Sequence, residues 1–201
     1  MPGRREEVVR AAAALFLERG YGEVSIDDIV GRIGGSKGTI YAWFGGKGGL
    51  FEVVIRDFCA RTTRSMEIEF DESLSIEKQL TGFSSAFLNL ILSREGVSLY
   101  RLVVANTASF PELARIFYEA GPQAAYGTLA AWIRLQQSRG TIKAGDARQM
   151  ATLHLDMLAG QHQFASVLGI SEENTPAKVA STVQAAVAMF LACNAGPVSE
   201  I

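Results

Sequence analysis

The segment between residues 36 and 44 carries polar and aromatic side chains that could contact DNA. Ile40 and Phe44 are four residues apart, so a helix would place both on one buried face. The remaining side chains would then face solvent on a helix of about two turns, which fits the major groove of B-DNA. The side chains predicted to face outward are Lys37, Thr39, Tyr41 and Trp43.

Start and stop signals on both sides of this segment predict a helix-turn-helix over residues 25–44. Ser36 can cap the second helix, and Gly45 with Gly46 would end it. Ser25 followed by Asp28 resembles a capping box at the start of the first helix. A second pair of glycines, Gly34 and Gly35, is predicted to form the turn between the two helices. The apolar residues of the first helix have helical spacing, at Ile26, Ile29, Val30 and Ile33.

Several residues at helix starts are placed to hold DNA phosphates. Ser36 and the N–H groups around it would favour an anion. Gly38 would let the backbone approach closely, and Ser25 could bind a phosphate at the start of its own helix. Lys47 begins the fourth helix and could hold another phosphate. In that case Lys47→Ala would reduce the salt slope of DNA binding, which is the change of log affinity with log salt concentration, by about one unit. A helical hairpin used only for packing is the alternative.

The remainder of the chain also has helical periodicity, which predicts an all-α fold. The same pattern predicts a domain boundary along the fourth helix, near residues 50–60. We expect Gly121 and Pro122 to break one long helical stretch. The other predicted helices cover 4–19, 75–94, 97–108, 111–139, 146–168 and 176–195, and a fourth helix begins near Lys47.

Charge and composition limit the other classes of function. The net charge is −2, but residues 1–56 carry +1 and the remainder carries −3, a small bias toward a DNA-binding N-terminus. The two cysteines form no motif, and no signal peptide or membrane span is apparent, so we expect a cytoplasmic protein. No catalytic or cofactor motif occurs. His154 and His162 are eight residues apart without further ligands, so no metal site is predicted.

Two further surfaces follow from the apolar residues of the second domain. Aromatic residues within 75–139 could line a pocket for a small lipophilic effector, although core packing explains any single ring equally well. The last two helices, within 146–195, could form a homodimer, and burial inside one chain is the alternative. The predicted pocket residues are Phe87, Val103, Asn106, Phe110, Phe117 and Tyr126. The predicted dimer residues are Leu153, Met157, Leu158, Leu168, Val179, Val183, Ala186, Val187 and Phe190.

The first 55 residues resemble the TetR family of bacterial regulators. The similar segments are 20–29 (GYGEVSIDDI), 36–44 (SKGTIYAWF), Lys47 and Leu50-Phe51. The resemblance implies that Thr39 and Tyr41 touch DNA. It also implies a three-helix DNA-binding domain over residues 1–55, followed by a helical ligand-binding and dimerisation domain over residues 56–201. Such proteins resemble one another in forming a dimer that binds a palindromic operator in double-stranded DNA, usually as a repressor. The family positions at or beside phosphates are Ser36, Lys37, Gly38 and Lys47.

Some positions depart from the family pattern. Gly35 stands where a turn valine is usual, and Trp43 stands where histidine is common. Trp43 could wedge against the sugar-phosphate backbone or brace the first helix. Residues 99–103, 110–113, 117–118 and 121–122 resemble AefR-like members of the family. An all-α enzyme or carrier and a helical adaptor are the rival classes of function.

Overall fold

The computed structural model describes residues 3–67, 72–170 and 174–196. Those residues form ten α-helices and no β-strand, which confirms the predicted all-α class. The helices are α1 (Arg4–Arg19), α2 (Ile26–Ile33), α3 (Lys37–Phe44), α4 (Lys47–Glu67), α5 (Ile76–Leu92), α6 (Arg94–Asn106), α7 (Pro111–Ala120), α8 (Pro122–Ser138), α9 (Ala147–Leu168) and α10 (Pro176–Asn194).

Most predicted helix ends are confirmed, and one start is earlier than predicted. The helix expected over 97–108 begins at Arg94, because the Ser93 hydroxyl accepts a hydrogen bond from the Gly96 N–H at 3.0 Å and caps it. The expected break is present, since α7 ends at Ala120 and α8 begins at Pro122. Proline has no N–H to continue the preceding helix.

The chain divides into two compact units. One combines Met1–Arg61 with Ser98–Gly121, and the other combines Thr62–Val97 with Pro122–Ile201. A division of the chain at residues 55 and 56 does not describe this packing, because most of α6 and all of α7 belong with the N-terminal helices. Assignment of residues 1–55 to DNA and of 56–201 to ligand and dimerisation remains a prediction.

An aromatic cluster forms the centre of the first unit. The rings of Phe16, Tyr21 and Phe51 are buried, and their centroids lie 4.9 to 5.5 Å apart. Phe51 meets both other rings edge to face, and such pairs stabilise a core beyond the area they bury. Phe110, at the start of α7, also packs on Tyr21 with the ring centroids 4.8 Å apart. The chain between α1 and α2 is therefore joined to α7.

The second unit buries both histidines in hydrogen bonds. The His154 ring lies 2.8 Å from the Ser84 hydroxyl, and burial lowers the pKa of His154 to about 4. The His162 ring contacts Asn174 at 2.6 Å and Thr182 at 2.8 Å. Both histidines are therefore buried side chains of the core whose rings form hydrogen bonds within the chain. Among the described residues no group of three His, Cys, Asp or Glu could hold a metal ion.

Candidate DNA-binding site

The start of α2 is closed by a reciprocal capping box, as the sequence predicts. The Ser25 hydroxyl accepts from the Asp28 N–H at 3.1 Å, and the Asp28 carboxylate accepts from the Ser25 N–H at 2.8 Å. Ser25 also donates its hydroxyl proton to Asp28, and Arg19 pairs with the same carboxylate at 2.8 Å. The Ser25 hydroxyl and Arg19 hold the pKa of Asp28 well below its usual range. The Ser25 hydroxyl is thus engaged in the cap, and its geometry does not support the predicted phosphate contact.

The turn between α2 and α3 consists of two glycines and is held by an arginine from α1. Gly34 and Gly35 have φ values of 70° and 110°, which non-glycine residues rarely adopt. The Arg4 guanidinium donates to the carbonyl oxygens of Ile33 at 2.6 Å and Gly34 at 3.0 Å. A cation at the carboxyl end of a helix is favourable, so Arg4 restrains a turn that would otherwise be loose.

Helix α3 presents the predicted outward face. Ile40 and Phe44 are buried, whereas the Tyr41 side chain is 57% exposed and Trp43 is 40% exposed. The Ser36 hydroxyl accepts from the Thr39 N–H at 3.2 Å and lies 3.1 Å from the Thr39 hydroxyl. Ser36 therefore caps the helix as predicted.

The first turn of α3 contains no acidic side chain. Its N–H groups consequently keep their attraction for an anion, which is what a phosphate contact requires. Lys37, Gly38 and Tyr41 are exposed around this end of the helix, and Thr39 is half-buried. The structure thus brings six predicted contact residues together on one helix start and face: Ser36, Lys37, Gly38, Thr39, Tyr41 and Trp43.

Lys47 is directed into the protein. Its ammonium group donates to the carbonyl oxygens of Tyr21 at 2.9 Å, Val24 at 2.9 Å and Gly22 at 3.5 Å. The same group lies 4.4 Å from the centroid of the Tyr21 ring, and burial lowers the pKa of Lys47. An ammonium has three donors, and all three have acceptors here. Lys47 holds the connection between α1 and α2, so the geometry does not support its predicted phosphate contact.

The six predicted pocket residues are divided between the two units. Phe87 and Tyr126 belong to the second unit, where the Tyr126 hydroxyl donates to Asp156 at 2.7 Å. In the first unit, Asn106 donates its side-chain amide to the Leu102 carbonyl at 2.7 Å. Phe110 packs against Tyr21 beside the core, and its role as a pocket wall remains a prediction. Val103 and Phe117 also lie in the first unit, and a ligand role for these residues remains a prediction.

The predicted dimer residues separate into a buried and an exposed set. The buried set forms the core of the second unit, which corrects its assignment to an interface: Leu158, Val183, Ala186, Val187 and Phe190. Val179 is half-buried against that core. Leu153, Met157 and Leu168 are exposed on α9. Phe164 of the same helix and Met189 of α10 are also exposed. The sequence pattern identified the apolar helices correctly and assigned the wrong face of α10.

Three residues in the first unit were not found from the sequence. Arg4 holds the glycine turn, and the Asp27 carboxylate lies 2.9 Å from the Lys37 ammonium. Both are charged residues at helix starts, where charge is common, so nothing in the pattern distinguishes them. Tyr21 stands within the segment that resembles the TetR family, but its contacts with Lys47 and Phe110 depend on the tertiary fold. A long-range contact of this kind leaves no local signal in a single sequence.

Two family models together match most of the chain. The model described as bacterial regulatory proteins of the tetR family matches residues 8–54. The model of the AefR-like transcriptional repressor C-terminal domain matches residues 78–195. An uncharacterized HTH-type transcriptional regulator of Mycobacterium tuberculosis is 24% identical over 80% of this chain and 81% of its own length. The HTH-type transcriptional repressor ComR of Escherichia coli is 32% identical over 45% of this chain and 44% of its own length.

Solved structures share the complete fold. The flavonoid-responsive regulator FrrA superposes with a TM-score of 0.84 and 30% identity, over 97% of this chain and 98% of its own. A TetR-family regulator from Mesorhizobium loti gives a TM-score of 0.87 and 26% identity, over 96% and 100% of the two chains. The protein therefore belongs to the TetR family of DNA-binding transcriptional regulators and is not an enzyme.

Proposed function

We propose that the protein is a cytoplasmic, ligand-responsive repressor that binds a palindromic operator as a homodimer and is released by a small lipophilic effector. The observation that carries the DNA-binding part is the α3 face. Its N-terminus is capped by Ser36 without a carboxylate, and Tyr41 and Trp43 are exposed while Ile40 and Phe44 fix the helix to the core. Lys37, Gly38 and Thr39 complete the proposed contact surface.

Selection of duplexes from a random pool tests this surface and supplies the operator. We expect a palindrome with half-sites about one helical turn apart, and Tyr41→Ala should weaken operator binding at least tenfold. Tyr118→Ala is the matched control, because Tyr118 is an exposed tyrosine of α7 in the same unit. Equal affinity of the Tyr41 and Tyr118 variants would contradict the assignment of α3 as the recognition helix.

Exposed apolar side chains support the homodimer. Leu153 is 64% exposed and Phe164 is 69% exposed, on a helix whose opposite face forms the core. Among the described residues one helix, α10, is long and apolar enough to cross a membrane. Only 22% of its most apolar stretch is buried, which leaves apolar surface for a second copy to cover. In this family a second copy of the same two helices is the natural cover for such a surface.

Sedimentation of charged variants tests the interface. Leu153→Glu with Phe164→Glu should convert a dimer into a monomer at micromolar concentration. Leu135→Glu is the control, because Leu135 is an exposed leucine on α8, outside the proposed interface. A wild-type monomer, or a dimer unaffected by the paired substitution, would contradict this interface.

A lipophilic effector is supported by the aromatic content of residues 75–139 and by FrrA, whose name describes it as flavonoid-responsive. A thermal-shift panel of flavonoids and hydrophilic metabolites of similar size tests the class. We expect stabilisation only by the lipophilic group. Stabilisation confined to hydrophilic compounds would contradict the proposal.

The contact between Phe110 and Tyr21 is the proposed route from effector to DNA. Tyr21 touches α7 through Phe110 and α4 through Lys47, so a shift of α7 would reach the start of α4. The effector can change DNA affinity only by its preference for one of two states. Phe110→Leu should therefore reduce the effector-induced loss of operator affinity more than it changes that affinity itself. An unchanged effector response would exclude this route.

A further inference from the structure

An ion pair connects the two helices of the helix-turn-helix at their first turns. The Lys37 ammonium lies 2.9 Å from the Asp27 carboxylate, and the two side chains are 58% and 67% exposed. Asp27 raises the pKa of Lys37 further above neutral, through its hydrogen bond and its charge. Exposed ion pairs of this kind contribute little to stability and open easily in water. The pair therefore adds little to the stability of the fold, but it can control whether the Lys37 ammonium is available to a ligand.

Asp27 is not needed for the helix cap beside it. The cap of α2 is made by Ser25 and Asp28, and Arg19 neutralises Asp28. Asp27 is the neighbouring acid, and its carboxylate is directed across to α3. Replacing Asp27 should consequently leave the capping box intact.

Nearby cations are also paired within the chain. Arg32 pairs with Glu18 at 3.1 Å, and Arg4 pairs with Glu7 at the same distance while holding the glycine turn. Lys47 is held by carbonyl oxygens. Lys37 differs from them because it stands on the proposed contact face, with one exposed carboxylate as its partner. Among these cations it is the one that a phosphate can most readily capture.

We propose that Asp27 competes with DNA phosphate for Lys37 and thereby limits sequence-independent DNA binding. Binding to arbitrary duplex relies on cation-phosphate contacts and the release of counterions. While Asp27 holds Lys37, that contact requires the pair to open and leaves a carboxylate beside the phosphate backbone. This inference rests on the assignment of Lys37 to the DNA-contact surface.

The test measures the affinity of full-length Asp27→Asn for a scrambled duplex and for the selected operator over a range of salt. We expect about a three- to tenfold gain on the scrambled duplex at low salt and a salt slope steeper by about one unit. Glu119→Gln is the matched control, since Glu119 pairs with Arg115 at 2.8 Å on α7 and its substitution changes the charge equally. A gain no larger than that of the control would overturn the proposal.

A double-mutant cycle shows whether the effect passes through Lys37. In a Lys37→Ala background, Asp27→Asn should give no gain beyond that of Glu119→Gln. A full gain in that background would identify Asp27 as a general repulsive charge and overturn the competition. If Lys37→Ala alone leaves DNA binding unchanged, the contact assignment fails. If the wild type binds no duplex, the proposed function fails with it.

Discussion

Helices α2 and α3 both begin with a capping serine, but their first turns differ in charge. The first turn of α2 contains Asp27 and Asp28, and the second carboxylate closes the cap onto Ser25. The first turn of α3 contains no acid, and Ser36 caps it with Thr39 as a neutral partner. The positive end of α2 is thus satisfied within the chain, while that of α3 remains available to an anion. We therefore propose that α2 supports the site and that α3 makes the contact with DNA.

The largest effect should follow from giving α3 the charge pattern of α2. Gly38 has an ordinary backbone conformation, and an added Cβ would meet only the Ser36 hydroxyl, at 3.6 Å. Gly38→Asp should lower operator affinity at least about tenfold, because a carboxylate would face the phosphates. It should also raise the melting temperature slightly, since glycine disfavours helix and an acid suits this end.

Gly38→Ala is the control for the side chain alone, and it should stabilise α3 without the same loss of affinity. Fluorescence anisotropy with labelled operator and thermal unfolding measure the two effects. If Gly38→Asp binds the operator as tightly as Gly38→Ala, the start of α3 does not face phosphate.

The two lysines that follow the glycine pairs should respond differently to alanine. Lys47→Ala removes hydrogen bonds to the connection between α1 and α2, so it should reduce the free energy of unfolding by about 1 to 2 kcal/mol. Its salt slope of operator binding should stay unchanged. Lys37→Ala should reduce that slope by about one unit and leave stability nearly unchanged. A reduced slope for Lys47→Ala would restore it as a phosphate contact.

The sequence was sufficient for local features of the fold and insufficient for contacts between distant segments. The caps at Ser25 and Ser36 and the buried face of Ile40 and Phe44 follow from spacing within single helices, and the structure has them all. The position of Lys47 at the start of a helix predicts a phosphate contact, but its ammonium donates to carbonyl oxygens more than twenty residues away. The spacing of residues within one helix carries no information on hydrogen-bond partners in a distant segment.

The same limit applies to the second unit. The apolar residues of α10 showed that one side of the helix must be covered, but not whether its own chain or a second copy covers it. The structure places Val183, Val187 and Phe190 in the core of the unit. Periodicity identifies the apolar side of a helix, and only the packed fold identifies its neighbour.

Arg4 compensates for the loose connection between the two capped helices. Arg4→Ala should reduce the free energy of unfolding by about 1 kcal/mol, because the charged hydrogen bonds to Ile33 and Gly34 are exposed on one side. Amide hydrogen exchange should increase at Gly34 and Gly35. Operator affinity should fall several-fold, because α3 would be less restrained without the hydrogen bonds from Arg4. Arg10→Ala, an exposed arginine of the same helix, is the control. Exchange rates unchanged from wild type would show that the glycine turn is held by other contacts.

The smallest effects should come from the serines themselves. Ser25→Ala and Ser36→Ala each remove a capping hydrogen bond together with the hydroxyl contact to Asp28 or Thr39, and should each cost about 1 kcal/mol of stability. Their effects on DNA should differ, because Ser36 stands at the proposed phosphate contact and the Ser25 hydroxyl is engaged by Asp28. Operator affinity, measured well below both melting temperatures, should fall a few-fold for Ser36→Ala and remain near wild type for Ser25→Ala. Equal losses in the two variants would mean that both helix starts face DNA, and the contrast between a supporting and a contacting helix would then be wrong.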